Sequence, residues 1–131
     1  MIKLSDLLKE SVVNKGINVN DKLFPFTDKI LDGEKTIETR NTNTLHPYVG
    51  QRVGLIRTGK GKAILVGYVT IGTPIFYSNK EEFDKDYDKH LVDPNSPFYI
   101  KDNGKWGYPM LNPERTEPRE INTLGIVSRK I

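Results

Sequence analysis

The spacing of apolar side chains changes period several times along the chain, and each change predicts an element. Leu4, Leu7, Leu8 and Val12 recur at three- and four-residue steps, with Ser5 as a cap and Gly16 as a stop, which predicts a short amphipathic helix. "INVNDKLFPF" follows as a connection or short strand. "FTDKILDG" then predicts a second helix, capped by Thr27, with Phe26 and Ile30/Leu31 facing inward and Gly33 closing it. From Lys35 the period falls to two. "KTIETR" reads as a strand that sets Ile37 on the face opposite Thr36, Glu38 and Arg40.

"NTNTLHPYVG" is a polar loop, and beyond it "QRVGLIRT", "KAILVGYVTIGTPIFY" and "TLGIVSRKI" are β-branched runs of strand length. Gly59 and Gly61 mark a tight turn between the first two. "NKEEFDKDYDKHLVD" has Phe83, Tyr87 and Leu91 at four-residue steps, which predicts one charged helix with a narrow buried stripe, ended by Asp93-Pro94. "KWGYPML" reads as a further strand, where Pro109, lacking an amide donor, favours an edge. Strands outnumber helices and no regular βαβ alternation is present. The pattern predicts an α+β fold, a small mixed sheet or closed barrel with helices at its ends.

Composition changes this picture little. A chain of 131 residues suits one domain with one core, and 36% apolar against 28% charged residues is the balance of a turn-rich globular protein. The formal charge of +3 fits an acidic partner without requiring one. No run approaches a membrane span or the apolar core of a signal peptide, so the expectation is a soluble, cytoplasmic protein with no membrane partner. The absence of cysteine excludes disulfides, thiolate catalysis and cysteine metal sites.

Four stretches carry candidate chemistry. "GLIRTGKG" follows a phosphate loop up to its lysine, but Gly61 stands where a Ser or Thr should meet magnesium and a strand follows where a helix is needed. It reads as a basic hairpin presenting Arg57, Lys60 and Lys62. His46 and His90 have no partner at ligand spacing, which argues against zinc; His46 reads as a loop residue and His90 as a cation near a helix C-terminus. No metal or other cofactor is expected. Trp106 and Tyr108 alternate on one strand face, an arrangement that either stacks bases or packs in the core. In "GEKTIETR", Thr36, Glu38 and Arg40 form a polar row that is either a surface ion pair or a cleft wall, with Arg40 offering its planar fork to phosphate and Glu38 accepting from an amino group. Spacing leaves both readings open.

"PFTDKILDGEKTIETR", with "YVGQRVGLI" and "AILVGYVTIG" after it, resembles the ASCH family, whose signature Gly-x-Lys-Thr-x-Glu-x-Arg is filled here by Gly33, Lys35, Thr36, Glu38 and Arg40. "EEFDKDYDKHLVDPNSPF" and "KWGYPMLNP" are similar to the later half of one ASCH branch. The resemblance runs from about Leu23 onward. It divides the chain into an N-terminal helical extension, residues 1–20, and an ASCH domain, residues 21–131. It implies a PUA-like fold, a small β-barrel with helices at its openings. It also implies association with RNA, the signature residues lining a cleft for RNA or a nucleobase.

One branch of the family removes the acetyl group from N4-acetylcytidine with a lysine, a threonine and a glutamate, and other members cleave RNA. By that resemblance Lys35 matches the catalytic lysine and Glu38 stands where the threonine would be, while Glu81 or Glu82 matches the glutamate. The leading expectation is therefore an RNA- or nucleotide-binding domain. Its contacts would be Gly33, Lys35, Thr36, Glu38 and Arg40, with Trp106 and Tyr108 as stacking residues. The alternatives are a hydrolase of a modified nucleoside, with Lys35 and Glu38 as the reacting pair, a ribonuclease, and a module that docks a protein through its N-terminal helix. Ligand, catalysis, oligomeric state and pathway stay open at this level.

Overall fold

The computed structural model describes residues 13–131. In chain order the elements are β1 (Lys15–Asn20), α1 (Phe26–Leu31), β2 (Ile37–Arg40), a 3-10 turn (His46–Tyr48), β3 (Arg52–Thr58), β4 (Ile64–Ile71), β5 (Ile75–Tyr77), α2 (Lys80–Lys85), α3 (Tyr87–His90), β6 (Lys105–Glu120) and β7 (Ser128–Lys130). The strands make one sheet in the order β2-β6-β4-β3-β1-β7, with β5 paired to β6 beside β4. The result is a mostly β, curled half-barrel with a few short helices.

Alternation drives β4, where Leu65, Gly67, Val69 and Ile71 are buried and the residues that alternate with them are half-exposed. β1 reads differently because it lies inside the sheet. It runs parallel to β3 and antiparallel to β7, and Gly16 through Val19 are all buried. Ile17, Val19, Leu55, Val69, Ile71 and Tyr108 meet in the main core.

The path of the sheet ends at β2 on one side and β7 on the other. The strands nonetheless come together across the open seam, because the Arg40 guanidinium on β2 donates to the Asn18 carbonyl on β1 at 2.6 Å. A side chain spans the gap where a closed barrel would have a ladder.

Several expectations shift at this level. The helix expected behind Ser5 falls mostly on residues outside the described ones, and the connection or short strand expected from Ile17 is a strand, β1, that begins at Lys15. Thr27 lies inside α1 and does not cap it; its amide and hydroxyl both donate to the buried Asp21 carboxylate, and Pro25 takes the cap position. The single charged helix is two short ones broken at Asp86, which accepts from Tyr77 Oη at 2.6 Å. Its buried residues are Phe83 and His90, and Tyr87 is exposed. The long run expected as one strand divides into β4 and β5 at Gly72–Pro74. Pro109 does not sit at an edge. It pairs with Ile37 of β2 on one side, and on the other it faces that break, where its carbonyl accepts from Gly72 N at 2.8 Å. Of the "TLGIVSRKI" run, only Ser128–Lys130 is strand.

Candidate functional site

Gly33 ends α1 with φ +82°, a left-handed backbone that turns the chain from the helix toward β2. Lys35 N then bonds back to Lys29 O at 3.0 Å, and Thr36 N bonds to Lys89 O at 2.8 Å at the end of α3. These bonds turn the Lys35 side chain inward. Its ammonium, 1% exposed, donates to the His90 carbonyl, sits 4.6 Å from the centre of the Phe26 ring and lies 3.7 Å from Glu38 Oε1.

His90 is held from both ring nitrogens. Nε2–H donates to Phe83 O at 2.7 Å, Nδ1 accepts from Val92 N at 2.9 Å, and the ring stacks on Phe83 with centroids 3.9 Å apart. Burial holds its pKa below the usual value. The expected cation at a helix end is a neutral core residue whose carbonyl anchors Lys35.

Glu38 is the centre of the arrangement. One carboxylate oxygen faces Lys35, and the other accepts from Arg40 Nε at 3.2 Å and Nη2 at 3.0 Å. Beyond it stands Lys105, the first residue of β6 and 2% exposed, donating to Asn41 Oδ1 at 3.0 Å and to the Phe98 carbonyl. Sequence reading missed this lysine. Its local signal is faint, a lysine that opens a strand beside Trp106.

All four side chains line one cleft of about 300 Å³ in the seam of the half-barrel, between β1 and β2. Asn18, Asn20 and Thr58 add polar lining, and Phe26, Val92, Phe98 and Ile126 add apolar lining. Three cations thus face one carboxylate. Burial pulls Lys35 down to about 8, against the attraction of Glu38. Burial also pulls Lys105 down to about 8, again against Glu38, with the charges of Lys101, Lys35 and Arg40 adding to the fall.

The remaining predicted residues lie elsewhere. Thr36 is exposed just before β2, and Gly33 is at the helix end, both outside the cleft lining. Tyr108 is fully buried, with its hydroxyl 2.7 Å from His46 Nδ1, so it has no face to offer a base. Trp106 is half-buried between His46, at 4.6 Å between ring centres, and Phe76, at 4.9 Å. Glu81 and Glu82 are exposed on α2, outside the cleft lining, and Glu82 accepts from Ser78 Oγ at 3.2 Å. The basic hairpin is a β3–β4 turn in which Lys62 pairs with Glu120 at 3.2 Å.

Against known proteins, no family model matches the chain and no curated protein matches it. Solved structures do. ASCH from Zymomonas mobilis superposes with a TM-score of 0.61 at 19% identity, covering 82% of this chain and 72% of that one. A single-residue variant of the same protein gives 0.59 at 18% identity, over 82% and 74%. The chain has the ASCH-domain fold.

Proposed function

We propose that this ASCH-fold domain binds RNA or a nucleotide in the seam cleft, through Lys35, Arg40 and Lys105. One observation carries the reading: three cations line one cleft against a single carboxylate, which pairs with only Lys35 and Arg40. Buried charge of one sign is costly unless something completes it, and an anionic ligand does so. The fold and the Lys35–Glu38–Arg40 signature support RNA or a nucleotide as that ligand. Arg40 and Lys105 meet phosphate oxygens, Glu38 orients Arg40 and Lys35, and a base lies against the apolar lining at Phe98. With up to three cations engaged, the log of affinity for single-stranded RNA falls against log salt with a slope of about −2. Lys35→Ala and Arg40→Ala each weaken binding by about tenfold or more, as expected for loss of a charge-assisted hydrogen bond. Affinity indifferent to salt and to both substitutions contradicts the proposal.

A second reading, hydrolysis of a modified nucleoside, draws support from Lys35 alone. With a pKa of about 8 it holds a fraction of free amine near neutrality, as a general base requires. Free cytidine released from N4-acetylcytidine, and abolished by Lys35→Ala, is the outcome that favours it; no release excludes it.

A further inference from the structure

The wall of the cleft is more specific than a basic patch. Glu38 is fully engaged, one oxygen toward Lys35 and the other toward Arg40. Lys105 is in a different position. Its ammonium has three N–H donors, its two partners are neutral oxygens of Asn41 and Phe98, and among the described residues it forms no ion pair. It is nevertheless 2% exposed and lines the cleft. A buried ammonium without a carboxylate, with a donor left over at a cavity, is a half-built anion site.

Charge and size narrow the anion. Lys35, Arg40 and Lys105 against Glu38 leave the cleft two positive charges in excess. A phosphodiester brings one negative charge, whereas a phosphate monoester brings about 1.5 to 2 at neutral pH. A cleft of about 300 Å³ lies at the lower limit of ligand pockets, the room of one nucleotide rather than a run of them.

Resting on the RNA-or-nucleotide reading, we propose that Lys105, with Arg40, forms a subsite for a phosphate monoester, so that the ligand is a mononucleotide or a terminally phosphorylated strand end. The monoester sits between the Lys105 ammonium and the Arg40 guanidinium, and Glu38 and the Asn18 carbonyl position that guanidinium. The groups facing Lys105 are Glu38 on β2, Arg40 on β2, Lys35 before it and Lys101 before β6, so its proton is opposed by three cations and favoured by one carboxylate. Affinity therefore has two limbs. It falls above pH about 8 as Lys105 and Lys35 lose their protons in the free protein. It falls below about 6 as the monoester takes up its second proton, a limb a diester cannot show.

The experiment is calorimetric titration of the full chain with a nucleoside, its 5′-monophosphate, inorganic phosphate, and a dinucleotide whose only phosphate is the internal diester. It is repeated with 5′-phosphorylated and 5′-hydroxyl RNA oligomers. The monophosphate should bind at least about tenfold more tightly than nucleoside and dinucleotide, the phosphorylated oligomer should beat the hydroxyl one, and both limbs should be present. Lys105→Met should remove the preference and Lys105→Arg should keep most of it. Equal binding of monophosphate and dinucleotide, or loss of the acid limb, overturns the subsite while RNA binding in the other arm leaves the broader reading intact. If inorganic phosphate alone binds, the site takes free phosphate and the nucleotide claim falls. Silence of every ligand, RNA included, overturns both. The wild-type comparison decides even where Lys105→Met fails to fold.

Discussion

At the scale of single residues, Glu38 sets the behaviour of its neighbours. It holds protons on both Lys35 and Lys105, opposing the burial that strips them. In Glu38→Gln both lysines should titrate below about 8, and the alkaline fall in anion affinity should move to lower pH with them. Breaking a buried pair costs about 3 kcal/mol at pH 6. The cost shrinks toward pH 9, because a lysine that has lost its proton needs no counter-ion. NMR titration of the lysine side chains with denaturant unfolding at the two pH values checks both parts; lysine pKa values unchanged in the variant contradict the assignment of Glu38 as the charge that favours both protons. The signature was legible in the sequence, since Lys35, Glu38 and Arg40 do converge on one cleft. Lys105 was not, because it reaches Asn41 only through the antiparallel pairing of β2 with β6, a long-range contact that no local spacing encodes.

At the scale of elements, two glycines test how the chain is bent around the site. Gly33 and Gly59 both have positive φ, at +82° and +84°. At Gly33 a Cβ meets none of the described residues within 4 Å, so Gly33→Ala carries the left-handed backbone penalty of about 1–2 kcal/mol, and Gly33→Asn less. At Gly59 the added carbon runs into the Asn20 side chain and comes within 2.9 Å of Lys22 N, so Gly59→Ala should cost more than Gly33→Ala. Thermal unfolding of the two variants orders them, and the reverse order contradicts this reading of the turns. In the sequence Gly33 was visible as a helix stop and Gly59, with Gly61, as a tight turn. What was not visible is the break between β4 and β5. The apolar run continues through "TIGTPIFY", and only the crossing of β6 past that point shows why Gly72–Pro74 leaves the ladder. The charged helix was misjudged for a related reason. His90, counted as a cation, is the apolar-facing partner of Phe83, and its two ring bonds are made to backbone that sequence does not place.

At the scale of the whole molecule, the buried lysines leave a signature in stability. Both have folded pKa values of about 8, below the unfolded 10.5, so between these values the unfolded chain binds more protons than the folded one. Stability should therefore rise as pH increases from about 8, by on the order of 3 kcal/mol for each lysine if the full window were open. Near pH 10 the gain meets an opposing trend. Tyr77 and Tyr108 have folded pKa values above their ordinary 10, mainly through burial, and the stability they contribute below that pH is lost above it. Urea midpoints should climb from pH 8 to about 10 and then turn down, and Lys35→Met should remove a large part of the climb. A flat or falling profile over that window contradicts charged lysines buried in the seam.

The same two lysines offer the most direct test of the central claim, that the seam cleft receives a phosphate-bearing nucleotide or RNA. The measurement is the side-chain NMR signals of Lys35 and Lys105 followed through titration with a 5′-phosphorylated RNA oligomer at pH 8. The account predicts that both signals move, saturate at one equivalent and shift toward the protonated form, because a bound anion raises the pKa of the ammonium beside it. Signals that stay fixed while the oligomer binds, or an oligomer that does not bind at all, would contradict it.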